Sequence, residues 1–181
     1  MFADARSKRI VLVAHCVLNQ NARIDGCAFF PGAMRDIARV LVESGVGILQ
    51  MPCPELECLG MDRAGRLRDG ADIGIREALL GDKATACREL ARGVARQCAE
   101  YRKHGFTIIG AVGNDGSPAC GVDLTWYLRG PAPGTGAFII MLREELAATS
   151  IEVPFTAVRD NEWAAGLERV RELLGHPTAC S

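Results

Sequence analysis

Short apolar runs recur along the chain and predict buried β-strands. Residues 10–14 (IVLVA), 46–51 (VGILQM) and 106–112 (FTIIGAV) are mostly aliphatic and do not alternate with polar positions. Such runs are typical of strands that are covered on both faces, as in a parallel sheet. Residues 138–142 fit either a fourth strand or the start of an apolar helix, and residues 151–158 are a candidate fifth strand.

Helical patterns separate these runs. Residues 83–104 carry apolar side chains at spacings of three and four, which predicts the longest helix. A shorter pattern follows Pro31 and ends at Gly45, a residue suited to the position after a helix. Further helices are predicted around residues 74–80 and over residues 162–174.

The remaining polar, glycine-containing segments predict loops, over residues 53–70, 113–121 and 130–136. No internal repeat or linker divides the chain. Because strands alternate with helices, the sequence predicts α/β architecture in one Rossmann-like domain over residues 1–181. We expect a mainly parallel sheet with flanking helices and right-handed crossovers.

Composition and charge narrow the classes of function. The 21 Lys and Arg residues against 22 Asp and Glu give a net charge of −1, so no basic field attracts a nucleic acid polymer or a membrane surface. The apolar runs are far shorter than the roughly 20 residues that span a bilayer, and the first residues lack a secretory signal pattern. We therefore expect a cytoplasmic protein that acts on a small molecule. The sequence makes no prediction of oligomeric state.

Eight cysteines stand out in this context. Disulfides are rare in reducing compartments, which favours metal binding or catalysis. Cys16, Cys53 and Cys120 each follow one of the first three predicted strands. The carboxyl ends of parallel strands meet at one edge of a sheet, so these cysteines are expected to converge there. Thiolates are soft ligands that suit iron–sulfur clusters and zinc.

The other polar and reactive residues fall into two groups. Some are candidates for substrate binding, and the others are predicted to have structural roles. The candidates for substrate binding are Asn19, Arg23, Asp25, Asn114 and Asp115, although Arg23 and Asp25 could equally form a salt bridge within their loop. The remaining predictions are core packing for Cys87 and Cys98, a structural role for Cys27, a hydrogen-bonded structural role for His15, and a solvated face for Arg63, Arg66 and Arg68.

Three segments resemble the thiouracil desulfidase family: AHCVLN with RIDG near the start, then CPELECLG, then GSPACG. Members of that family carry a Cys after the first strand, an Arg-x-x-Gly-like segment, a Cys-Pro-Glu after the second strand and a Ser-Pro-x-Cys-Gly after the third. The resemblance covers residues 8–125. It implies a [4Fe-4S] cluster held by Cys16, Cys53 and Cys120, and removal of sulfur from a thiolated nucleobase such as 2-thiouracil without net redox change.

The resemblance also implies roles for two polar residues. Glu55 of the Cys-Pro-Glu segment and Ser117 of the Ser-Pro-x-Cys-Gly segment would be the catalytic groups. As a hypothesis from their chemistry, Glu55 would act as general base toward water, and Ser117 or the backbone amides of residues 116–120 would hydrogen-bond the ring or the developing charge. With three cysteine ligands, one iron keeps an open position for substrate sulfur.

Two alternatives remain open at this point. Cys58 lies where the family is usually glycine-rich, and as a fourth ligand it would close the cluster and favour electron transfer, sensing or cluster delivery. Alternatively, the spacing of Cys53 and Cys58 is compatible with zinc, with His15 or Cys16 completing the site.

Overall fold

The computed structural model describes residues 2–67 and 73–175 of the chain. Its strands and α-helices follow in chain order as β1 (Arg9–Val13), α1 (His15–Leu18), α2 (Arg35–Glu43), β2 (Gly47–Gln50), α3 (Pro54–Leu59), α4 (Ile75–Leu80), α5 (Ala84–Lys103), β3 (Thr107–Asn114), β4 (Leu124–Tyr127), β5 (Gly130–Pro133), α6 (Ala137–Ala148), β6 (Phe155–Val158) and α7 (Trp163–Gly175). Short 3-10 helices cover Gln20–Ala22, Met61–Leu67 and Asp160–Glu162.

A four-stranded parallel sheet in the order β2-β1-β3-β6 forms the centre of the fold. The prediction of a Rossmann-like α/β fold with a mainly parallel sheet is therefore confirmed. Because β2 and β3 lie on opposite sides of β1, the chain reverses its direction of travel across the sheet there. Such a reversal opens a crevice at the carboxyl ends of the two central strands.

Helices cover both faces of the sheet. α2 contacts α7, and α5 packs against α6; right-handed crossovers place these two pairs on opposite faces. The apolar stripe predicted over residues 83–104 is the buried side of α5, and Cys87 and Cys98 are completely buried in the core as expected. None of the helices in the described part of the chain has the combination of length and hydrophobicity that a bilayer span needs.

The prediction of a loop over residues 53–70 is wrong where the structure describes it. α3 begins directly after Cys53, whose Sγ accepts a hydrogen bond from Leu56 N at 3.4 Å. Pro54 occupies the first helical turn, where its missing N–H costs nothing, and acidic side chains there favour the helix dipole. Beyond α3 the segment continues as the 3-10 helix Met61–Leu67.

The structure also differs from the predicted loop at residues 130–136 and settles the two ambiguous apolar runs that follow it. Residues 130–136 were expected to form a loop, but β5 pairs antiparallel with β4, with Trp126 opposite Pro131. Proline is tolerated in a two-stranded ribbon because its ring nitrogen can face away from the partner strand. The ambiguous run 138–142 lies within helix α6, and only the end of the run 151–158 forms a strand, β6.

Candidate functional site

A cavity of about 310 Å³ opens at the carboxyl edge of the sheet. Cys16 lies in α1 directly after β1, Cys53 precedes α3 after β2, and Cys120 lies in the turn that follows β3. All three line this one cavity. The sequence-based expectation that three cysteines distant in sequence share one edge of the sheet is thus met.

Burial dominates the electrostatics of these thiols. It raises the pKa of Cys16, raises the pKa of Cys53 to about 12, and holds the pKa of Cys120 well above its usual range. The neighbouring Cys16 and Cys53 raise the pKa of Cys120 further, so the three groups influence one another. A buried thiol becomes a thiolate when a cationic centre binds it and the proton leaves. The set therefore suits a positively charged, thiophilic group.

The spacing of the donors bears on which metal group could fit. Among residues 2–67 and 73–175, no three His, Cys, Asp or Glu side chains come close enough to share a single metal ion. Cys58 does not line the cavity and instead has Cys87 as its thiol neighbour. The cavity lining therefore gives no support to Cys58 as a fourth ligand, and the zinc alternative stays a prediction.

Glu55 and Ser117 are connected beside these cysteines. The Ser117 hydroxyl donates to Glu55 Oε1 at 2.8 Å and accepts from the backbone N–H of Cys120 at 2.9 Å and of Ala119 at 3.1 Å. Both side chains line the cavity, and that of Glu55 is 14% exposed. One hydrogen-bonded chain therefore links the carboxylate to the backbone of a cysteine.

Arg63 holds the other oxygen of Glu55. Its Nε lies 3.4 Å from Glu55 Oε2, while its terminal nitrogens donate to the carbonyl oxygens of Gly60 and Ala22. The Arg63 side chain is only 2% exposed, so the prediction of a solvated face is wrong for this residue. A buried guanidinium needs such partners, and one of them, Ala22, is distant in sequence. The side chains of Arg66 and Arg68 lie outside the described residues.

A second ion pair lies on the side of Cys16. Arg23 Nη2 is 2.7 Å from Asp160 Oδ2, with the two side chains 13% and 8% exposed. Arg23 also donates to Cys27 O at 2.7 Å and lies 3.9 Å from Cys16 Sγ. Its carboxylate partner is thus Asp160 rather than Asp25, which is exposed. Asp160 was missed in the sequence, although it follows β6 at the same edge of the sheet.

The remaining predicted polar residues divide into two groups. Asn114 and Asp115 line the cavity, but Asn19 and Asp25 do not. Asp115 Oδ1 accepts three backbone N–H groups at 2.9–3.2 Å and so holds the turn after β3. In the amide orientation that satisfies both its atoms, Asn114 donates to Val158 O and accepts from Arg23. Asn19 caps the 3-10 helix Gln20–Ala22.

His15 and Cys27 are also part of the cavity wall. His15 Nδ1 lies 2.9 Å from Gln50 Nε2, as expected for a hydrogen-bonded structural histidine, and burial lowers its pKa. Cys27, expected to be structural, presents a half-buried thiol to the cavity. Phe29 and Trp126, both exposed, add aromatic surface to the wall.

Comparison with known proteins gives one informative relationship. The chain is 32% identical over 117 residues to "Uncharacterized protein MJ0003" of Methanocaldococcus jannaschii, an alignment that covers 65% of this chain and 70% of that protein. No family model matches the chain. No solved structure matches it either. At this identity and coverage, the chain belongs to the same family as the Methanocaldococcus protein.

Proposed function

We propose that the protein removes sulfur, by an iron–sulfur-dependent and non-redox reaction, from a thiolated nucleobase such as 2-thiouracil or a related thioamide. The observation that carries the proposal is the shared cavity of Cys16, Cys53 and Cys120 with the hydrogen-bonded pair Glu55 and Ser117. Three thiols at the carboxyl edge of the sheet would hold the cluster, and a carboxylate beside them would act on the water.

The residues at this cavity fit a [4Fe-4S] cluster. Its ligands would be Cys16, Cys53 and Cys120, whose buried thiols need a cationic partner to ionise. When bound, the cluster would supply a Lewis-acidic iron with an open position that binds and polarises the substrate sulfur. None of the seven cysteines in the described residues forms a disulfide, which suits the reducing cytoplasm in which we expect the protein to work.

The protein's own groups would handle the water and its protons. The overall change converts a carbon–sulfur double bond and water into a carbon–oxygen double bond and hydrogen sulfide, without oxidation or reduction. Glu55 would take a proton from the attacking water as general base. Ser117 donates to one carboxylate oxygen and Arg63 contacts the other, so both fix the carboxylate orientation.

The walls of the cavity suit a small planar substrate. Phe29 and Trp126 supply aromatic side chains, and Ile24 and Pro131 add apolar surface. A nucleobase is flat and largely apolar on its two faces, so it can stack against such side chains. Asp115 also lines the wall, where its second carboxylate oxygen would recognise the ring edge, whereas the Asn114 amide is already hydrogen-bonded to Val158 and Arg23.

The test is anaerobic reconstitution followed by turnover. We expect about four iron and four sulfide per chain, loss of the 2-thiouracil absorbance, and release of stoichiometric sulfide. Glu55→Gln should keep its iron content but lose turnover by about 10²–10⁴-fold, whereas the exposed neighbour Glu57→Gln serves as the matched control. A protein that fails to take up iron under these conditions contradicts the proposal, and a fully active Glu55→Gln variant removes Glu55 from the role of base.

A second function is favoured by one observation, the presence of Cys27 in the cavity wall. If Cys27 is a fourth ligand, the cluster is coordinatively closed, which favours electron transfer or sensing over catalysis. Cys27→Ser separates the two proposals. A closed cluster would lose one iron or change its electron paramagnetic resonance spectrum, whereas an open cluster would keep both its iron content and its spectrum.

A further inference from the structure

The buried ion pair between Arg23 and Asp160 lies immediately beside Cys16. Arg23 Nη2 is within 2.7 Å of the Asp160 carboxylate and 3.9 Å from Cys16 Sγ. The amide of the buried Gln20 donates to both the Cys16 carbonyl at 2.9 Å and Asp160 Oδ1 at 3.3 Å. The pair and the Cys16 segment are therefore held as one unit.

This unit ties together three strand ends. Cys16 and Cys27 follow β1, Asn114 ends β3, and Asp160 follows β6. The guanidinium of Arg23 makes contacts with all four. Its terminal nitrogens are directed at these protein partners, which leaves Arg23 less suited to bind substrate than its place in the first loop suggested.

The burial of the pair calls for a reason beyond stability. Removing two charges from water is costly, and apolar side chains of similar size often stabilise a fold equally well. A buried cation beside a thiol has a clear use, because it offsets the negative charge of the thiolate. Of the charged neighbours of Cys16, Arg23 has the strongest influence and opposes the effect of burial.

We infer that Arg23 and Asp160 form a positioning pair for the Cys16 ligand. Arg23 donates an N–H···S hydrogen bond to the Cys16 thiolate and offsets its charge, and Asp160 with Asn114 fixes the guanidinium in place. The inference rests on the proposed function, because it gives these residues a role only where Cys16 ligates a cluster. Hydrogen bonds and charges near ligand sulfurs set both the reduction potential and the retention of a cluster.

The inference makes a prediction whose sign depends on the charge that is removed. A nearby positive charge stabilises the added electron of a reduced cluster. Arg23→Gln should therefore lower the reduction potential, and Asp160→Asn, which removes a negative charge, should raise it. A general loss of rigidity at the site would not shift the reduction potential in opposite directions in the two variants.

The experiment uses anaerobically reconstituted protein and two measurements that do not depend on turnover. The first is the rate of iron release to a chelator, which should rise about tenfold or more in Arg23→Gln and by less in Arg23→Lys, which keeps the charge but loses the planar fork. The second is the reduction potential, followed by electron paramagnetic resonance during reductive titration. Arg171→Gln is the matched control, since Arg171 is exposed, pairs with Glu168 and does not line the cavity.

Each outcome decides the inference. Opposite shifts in potential, with faster iron release in Arg23→Gln and near-normal behaviour of Arg171→Gln, support it. Shifts of one sign, or unchanged potential and iron release in both variants, overturn it. If Arg23→Gln does not fold, the raised potential of Asp160→Asn and the faster iron release of Arg23→Lys carry the test, and their absence overturns the inference. Wild-type protein that takes up no iron contradicts the proposed function, whereas iron-loaded variants that match the wild type contradict the inference alone.

Discussion

The Ser117 hydroxyl has two tasks at once, because it orients Glu55 and caps the turn that carries Cys120. Ser117→Ala leaves the N–H groups of Ala119 and Cys120 without this acceptor, and such losses cost about 1–2 kcal/mol. We expect that decrease in urea unfolding of the iron-free protein, together with reduced turnover. Ser44→Ala, which removes one hydrogen bond to Leu41 O far from the site, should cost less. Equal effects of the two substitutions would contradict the dual role of Ser117.

Cys58 provides a test of the ligand set at the level of one residue. It lies on α3, near the ligand candidate Cys53 in sequence, yet it does not line the cavity. Cys58→Ser should therefore leave the iron content of reconstituted protein unchanged, whereas Cys53→Ser should reduce it strongly. Iron and acid-labile sulfide assays on both variants decide the matter. A loss of iron in Cys58→Ser would restore Cys58 as a ligand.

The roles of single residues were predictable only where a strand-end pattern located them. The edge of the sheet located Cys16, Cys53 and Cys120, and the same rule applied to the strand at residues 151–158 would have drawn attention to Asp160. Arg63 could not be found in this way, because a charged residue in a polar segment resembles solvated surface. Its burial depends on Glu55 and on the carbonyl oxygen of Ala22, which only the tertiary fold brings to it.

At the scale of elements, long periodic patterns predicted structure better than short mixed ones. β1 and α5 follow directly from a continuous apolar run and a helical stripe. α3 has only six residues, four of which are not large and aliphatic, so no periodicity could develop. Its start signals, a Cys cap, Pro54 and Glu55, were present but were outweighed by nearby glycines and charges. The β5 strand of the β4–β5 ribbon consists mainly of Gly and Pro, which local rules assign to loops.

The end of β3 depends on a glycine that permits close approach of the Cys120 turn. A Cβ on Gly113 would lie 2.5 Å from Cys120 O and 2.7 Å from Val122 Cγ2. Gly113→Ala should therefore displace the Cys120 backbone and cost about 1–3 kcal/mol, with loss of iron binding. Unfolding by urea and iron assays measure both effects. Gly32→Ala, where a Cβ would meet nothing within 4 Å, is the control and should leave both quantities nearly unchanged.

At the scale of the whole molecule, the proposed cluster would join parts of the chain that are far apart in sequence. Its three ligands follow β1, β2 and β3, which are adjacent in the sheet but separated by helices along the chain. A group bound only by the folded arrangement stabilises it by mass action. Removal of the cluster should therefore weaken the carboxyl edge of the sheet rather than a single loop.

This coupling predicts a difference in thermal stability between iron-loaded and iron-free protein. Binding at about 100 times the dissociation constant adds roughly 2.7 kcal/mol, which corresponds to about 5–11 °C in Tm for a chain of this size. Anaerobic calorimetry of the two forms should show that rise in the wild type. Cys120→Ser, after the same reconstitution, should show none, because one of the three connections is missing. Equal melting temperatures for loaded and iron-free wild type would mean that the bound iron does not join the strand ends, and would argue against these three cysteines as its ligands.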